Sequence, residues 1–156
     1  MNILRKIETV LDSACTDLKL LKDNYFIIGS SALILSGIPI ENTHDIDIIT
    51  SKRDATLLKG IWKERLLEDH SGEDDHLFHS NFSRYRFGEL DIEVMGNLKV
   101  KSRGVWQILD IREYQIVSLN NFDFKIPTLR EQKRIFKLFG REKDYEKLKL
   151  IEKYEQ

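Results

Sequence analysis

The chain has 156 residues, 41% of them hydrophobic and 33% charged, with a formal net charge of −1. That length and apolar content fit one domain with one core, and the near-neutral balance argues against a general binder of duplex DNA, which would carry a basic face. A single cysteine, Cys15, excludes an internal disulfide and fits a reducing cytosol.

The segment from Met1 to Leu21 carries charges throughout and lacks the apolar block of a signal peptide. No stretch approaches the roughly 20 apolar residues of a membrane span, so no membrane association and a cytoplasmic location are expected. Ile3, Ile7, Val10, Ala14, Leu18 and Leu21 recur at three- and four-residue steps, which predicts an amphipathic helix broken at Asp23 and Asn24. Tyr25 to Ile28 reads as a short buried strand. Gly29 and Ser30 then open a short helix, with Gly37 as its cap and Pro39 as its stop. Asp45 to Ile49 is a second strand. Ser51 caps the next helix with Asp54 as its partner, and Leu58, Ile61, Trp62 and Leu66 form the inner face.

Glu68 to Asp75 reads as an acidic loop. Phe82 to Phe87 and Leu90 to Val94 alternate around Gly88 and Glu89, a hairpin pattern. One or two further strands are expected within residues 97–126. Thr128 and Glu131 have capping-box spacing at the head of a helix that Gly140 interrupts. Arg141 to Tyr154 is a last helix with Tyr145, Leu148 and Ile151 inward. Strands interleaved with helices, and helices at the end, predict an α/β or α+β fold around a small mixed sheet. Residues 1–156 are expected to form a single domain, with its core at about 24–96 and a C-terminal helical part at about 127–155.

The chemistry concentrates between Phe26 and Ile49. Alternate side chains of a strand share a face, so Asp45 and Asp47 point one way and Ile46 and Ile48 the other. Two acids side by side repel, and a cation between them removes the conflict. Hard oxygen ligands suit Mg²⁺ or Mn²⁺, and Mg²⁺ shares its shell with substrate phosphates. Gly29 and Ser30 follow a strand and start a helix. Glycine admits a close ligand, free N–H groups face an anion, and a serine hydroxyl adds a donor. Asp91 and Glu93 share the polar face of a later strand, opposite Leu90, Ile92 and Val94.

In these features the sequence resembles the nucleotidyltransferase superfamily, the fold shared by polymerase beta, antibiotic nucleotidyltransferases and small bacterial toxin–antitoxin proteins. The resemblance is carried by Ile28, Gly29 and Ser30, by Asp45, Ile46 and Asp47, and by Leu90 to Glu93. The stretch Gly140 to Asp144 is also similar to the end of abortive-infection nucleotidyltransferases. The resemblance implies a metal-dependent transfer of a nucleoside monophosphate, AMP from ATP, to a hydroxyl of a small-molecule or protein acceptor, with pyrophosphate released. It implies Asp45, Asp47 and Asp91 as metal ligands and catalytic residues, with Glu93 as the other candidate for the third carboxylate. Gly29, Ser30 and Lys143 would bind the nucleoside triphosphate. An interaction protein of a toxin–antitoxin pair, or a nucleotide-binding member without efficient turnover, is the competing reading.

Each assignment has a plainer counterpart. Asp45 and Asp47 could be paired acids at a solvated strand end, Ser30 a helix cap, and Asp91 a surface acid. Residues 141–153 interleave Lys and Glu like an ordinary solvated helix face, which weighs against Lys143. Arg84 and Arg86 could reach phosphates from the hairpin. His70, His76 and His79 have the spacing of no standard zinc site. His44 is expected to face away from the metal, and Tyr85 and Phe87 to pack.

Overall fold

The computed structural model describes residues 2–74 and 76–156, so Met1 and Asp75 lie outside it. Helix α1 (Ile3–Leu18) forms where the apolar steps predict, with Ile7, Val10, Leu11, Ala14 and Leu18 buried on one face. Asn2 caps it by accepting a hydrogen bond from the Arg5 N–H at 2.9 Å. Strand β1 (Phe26–Ile28) runs straight into α2 (Gly29–Leu35), and Gly37, at φ +91°, turns the chain just past the Ser36 cap. Then come β2 (Asp45–Thr50) and α3 (Lys52–Ile61).

The Ser51 hydroxyl caps α3 as expected, accepting from the Asp54 N–H at 3.1 Å. Asp54 also has a second task. Its fully buried carboxylate accepts the N–H groups of Lys22 at 3.0 Å and Asp23 at 2.7 Å, which ties α3 to the turn after α1.

Strands β3 (Leu66–Asp74), β4 (Phe78–Arg86), β5 (Asp91–Ser102) and β6 (Val105–Ile108) complete a six-stranded mixed sheet. Its order is β1-β2-β5-β4-β3, with β6 added to β5. Only the β2–β5 pair is parallel among these pairings. The expected β4–β5 hairpin is present, but the expected acidic loop is instead β3, paired along its length with β4. An edge strand exposed on both sides needs no apolar alternation, because backbone hydrogen bonds alone hold it, and charges on it block further pairing. Residues 97–126 hold more strand than expected. They contain the end of β5, β6, and a separate hairpin of β7 (Tyr114–Leu119) and β8 (Phe122–Pro127). This hairpin sits by β1, where the Phe26 and Tyr114 rings are 5.6 Å apart and Lys125 Nζ donates to Asn24 Oδ1 at 2.8 Å.

One sheet face presents Ile46, Ile48, Tyr85, Ile92 and Val94, all 0% exposed, to a core shared with α1 and α3. At Gly96 on β5, a Cβ would stand 2.6 Å from the Ala55 Cβ, so glycine permits α3 its close approach. The other face meets α4 (Leu129–Phe139), through Ile135 and Phe139 against Ile28, Ile49 and Leu98. Thr128 caps α4, its hydroxyl accepting from the Glu131 N–H at 3.2 Å. The box is not reciprocated: the Glu131 carboxylate accepts instead from the Arg112 N–H and the Arg134 guanidinium. Gly140, at φ +66°, ends α4.

In α5 (Glu142–Glu155), Leu148 and Ile151 are buried as expected, but Tyr145 is 51% exposed. The covered stripe runs through Asp144, Leu148 and Ile151, and Tyr145 lies one residue, or about 100°, around from it. Among the described residues no helix is long and apolar enough to cross a membrane.

Asp54→Ala orphans two backbone N–H groups and is expected to destabilise the chain by about 2–3 kcal/mol. Urea unfolding of both proteins measures it, and a change below about 0.5 kcal/mol, the scale of an ordinary surface substitution, would show that the Asp54 clamp contributes little.

Candidate active site

The sheet registers assemble the site row by row on the face that α4 meets. Phe26, Ile49, Met95, Phe82 and His70 form one cross-strand row. The next row, two residues along each strand, is Ile28, Asp47, Glu93, Arg84 and Glu68. A third contains Asp45, Asp91 and Arg86. The face thus passes from apolar to charged within two steps. The apolar row continues in rings, with His70 stacked on Phe82 at 4.8 Å.

A cavity of about 700 Å³ opens over these rows. The Gly29–Ser30 turn, Asp45, Asp47, Glu93 and Arg84 line it from the sheet side, and Lys143 and Lys147 from α5, with Arg141 at the cap of that helix. Asp91 and Arg86 are not among its lining residues. The register puts each candidate for the third carboxylate opposite one aspartate of the pair, Glu93 opposite Asp47 and Asp91 opposite Asp45, and the charges of both act on Asp45.

The carboxylates are costly where they stand. Burial, and then the charge of Glu93, hold Asp47 well above the usual carboxylate range. The same two causes, in the same order, raise Asp45. Asp47 Oδ1 is buried with no hydrogen-bond partner. Glu93 is held by Arg84, whose Nε donates to Glu93 Oε1 at 3.1 Å while Nη2 makes a second bond to the same oxygen. Among the described residues, no three His, Cys, Asp or Glu side chains stand ready to hold a metal ion as they are.

Gly29 is required twice over. Its φ is +73°, in the left-handed region, and a Cβ there would lie 2.8 Å from Asp47 Oδ2. The backbone therefore passes directly over the carboxylate. Ile28 occupies the cap position of α2, so Ser30 lies inside the first turn and is not the cap. Ser31 does the structural work, its hydroxyl donating to the Asp45 carbonyl at 2.9 Å, while Ser30 lines the cavity.

Sequence reasoning missed Lys147. It is half-buried on the cavity wall, its pKa lowered by burial, and it lies one helical turn from Lys143. That i, i+4 spacing was the available signal. Arg141 is held by Asp144, with Nε donating to Oδ2 at 2.7 Å, and its guanidinium lies over the rings of Phe78 at 4.9 Å and Phe139 at 5.5 Å. His44 is exposed and outside the cavity lining, and its carbonyl accepts from the Asp91 N–H at 3.2 Å.

No protein-family model and no curated protein matches the chain. Solved structures do. A candidate nucleotidyltransferase from Thermotoga maritima superposes with a TM-score of 0.79 over 94% of this chain and 92% of that one, at 24% identity. The chain has the nucleotidyltransferase fold. Two further structures share the fold at lower identity. A lincosamide antibiotic adenylyltransferase, solved with lincomycin bound, matches with a TM-score of 0.60 over 97% of this chain and 98% of that one, at 11% identity. The antibiotic-resistance factor ANT(2'')-Ia matches with a TM-score of 0.55 over 95% and 81%, at 12% identity.

Within this nucleotidyltransferase fold, Gly29→Ala is expected to lose about 1–2 kcal/mol from the left-handed backbone alone, with the Asp47 clash added to that. In an Asp47→Ala background the second part disappears. Denaturant unfolding of the four proteins tests the contact, and an equal cost in both backgrounds would dismiss it.

Proposed function

We propose that this chain is a nucleotidyltransferase that moves AMP from ATP onto a hydroxyl of a small organic acceptor and releases pyrophosphate. The observation that carries the reading is the Asp45, Asp47 and Glu93 constellation beside the Gly29–Ser30 turn in one cavity, with one buried Asp47 oxygen left without a partner. The fold adds support, since a structure that shares it is an antibiotic adenylyltransferase.

The residues present fit a divalent cation, Mg²⁺ or Mn²⁺. Three carboxylates offer hard oxygens, and a cation supplies the counter-charge that Asp47 lacks. When bound, it neutralises charge on the phosphates and favours ionisation of the acceptor hydroxyl. Asp45, Asp47 and Glu93 are the residues that would hold it. The Gly29–Ser30 turn presents backbone N–H groups and a hydroxyl to phosphate oxygens. Lys143 and Lys147 face the triphosphate from α5 and offset its negative charge. The acceptor oxygen attacks the α-phosphorus, the bond from that phosphorus to the α,β-bridging oxygen breaks, and the hydroxyl proton passes to the third carboxylate, Glu93.

The apolar row of Phe82 and Met95, with Phe78 beside it, gives the cavity a wall suited to a small organic acceptor. The whole chain works as one domain in this reading. The core at about 24–96 carries the carboxylates, and the helical part at about 127–155 carries the lysines.

Asp47→Asn should have two opposite effects. It removes a penalised buried charge and is expected to stabilise the free chain by about 1 kcal/mol. It should also abolish Mn²⁺-dependent ATP binding in calorimetry. Unchanged nucleotide affinity would take Asp47 out of the site.

The third carboxylate is tested by turnover with α-labelled ATP, Mg²⁺ and a panel of hydroxyl-bearing acceptors. Glu93→Gln is expected to lose transfer by about 10²–10⁴-fold, a larger loss than its weakening of nucleotide binding, and Asp91→Asn to lose less than about tenfold. The reverse pattern would return the role to Asp91. Labelled ATP that reaches no acceptor and is not hydrolysed would remove the transferase reading.

A further inference from the structure

The charged row has an unusual membership. Reading across the sheet, Asp47, Glu93, Arg84 and Glu68 stand side by side on β2, β5, β4 and β3. Arg84 therefore has a carboxylate on each side. Its Nε and Nη2 bond Glu93, and its Nη1 lies 3.3 Å from Glu68 Oε1. The side chains grow more exposed outward, from 14% for Glu93 to 35% for Arg84 and 52% for Glu68.

We infer that Arg84 is a positioning residue that guards the cation site, holding Glu93 until a divalent cation arrives and then shifting its bonds to Glu68. The inference rests on the reading that Asp47 and Glu93 share that cation. Both Arg84 bonds fall on Glu93 Oε1, so that oxygen has no lone pair to spare for a divalent ion while Arg84 holds it, and two cations on one carboxylate repel. Displacing Arg84 into solvent would strand its charge bonds. Glu68, already within contact distance, receives them without a change of backbone. A guanidinium with donors on two edges can lean either way, which a lysine does with less geometric control. Asp45 and Asp47 are left strained in the free chain, and the guard keeps Glu93 from adding to that strain as a third unpaired charge.

The arrangement predicts opposite signs for two neighbouring substitutions. Arg84→Met frees Glu93, so affinity for Mn²⁺ alone should rise by about tenfold, within the usual range of coupling between sites. Glu68→Gln leaves Arg84 with Glu93 as its one hydrogen-bonded or ion-paired partner, so Mn²⁺ affinity should fall by about fivefold, the low end of such couplings. A direct field effect of Glu68 on the metal would persist without Arg84, whereas an effect relayed through Arg84 vanishes. Glu68→Gln should therefore be silent in the Arg84→Met background. Arg84→Lys should recover part of the wild-type affinity.

The measurement is calorimetric titration of the full chain with MnCl₂ without nucleotide, with thermal unfolding with and without Mn²⁺ to confirm that each variant folds. General damage would lower affinity in both variants, so the rise in Arg84→Met is the decisive sign. Mn²⁺ binding that needs Asp47 but ignores Arg84 and Glu68 would overturn the guard and leave the metal site standing. Absence of Mn²⁺ binding in the wild type and in Arg84→Met alike would overturn both.

Discussion

Two acids in register on neighbouring parallel strands, Asp47 on β2 and Glu93 on β5, are the constraint that the rest of the structure is arranged around. Like charges directly opposite each other destabilise a sheet, and burial makes the Asp47 charge costlier still. The pair persists because the opposite face of the same strands is anchored. Ile46, Ile48, Ile92 and Val94 are 0% exposed in a core shared with α1 and α3. Neither strand can rotate or slip to relieve the acids without exposing those side chains.

Everything near the pair then responds to it. Gly29 lets the backbone pass over Asp47 where any Cβ would collide. Ser31 ties α2 to the carbonyl of Asp45. Arg84 takes Glu93 from the far side. The positive charge that faces the acids across the cavity comes from the other end of the chain. Lys143 and Lys147 lie on α5, which is fixed by Leu148 and Ile151 in a small core with Leu33, Ile38 and Phe136. The sheet and the helical end meet at the Phe78–Phe139 contact, with ring centres 4.9 Å apart under Arg141. The acids thus stand on the sheet and two lysines stand across from them on α5, the arrangement on which the proposed triphosphate site rests.

Reading from the sequence succeeded where the signal is local. Caps at Ser51 and Thr128, the alternation of β2 and β5 and the left-handed stop at Gly140 all follow from a few adjacent residues. It failed where the deciding partner is distant. β3 reads as a loop because Glu68, Asp69, His70 and Ser71 show no apolar face, yet pairing with β4 makes it a strand. Tyr145 looks like a core residue, but the stripe of α5 that touches α4 and α2 runs through Leu148 and Ile151 instead.

The sequence by itself determined that Asp45 and Asp47 share one strand face, that Gly29 and Ser30 turn from strand to helix beside them, and that the fold mixes strands with helices. Those are consequences of backbone periodicity and of glycine's freedom, which act within a few residues. Tertiary structure alone decided that Glu93 stands opposite Asp47 and Asp91 opposite Asp45, that Arg84 holds Glu93, and that the Lys143 and Lys147 face of α5 lies across the cavity. Asp91 and Glu93 are equivalent along their own strand. They become different only when β5 pairs with β2, and that register is set by contacts between segments more than 40 residues apart, which no local pattern encodes.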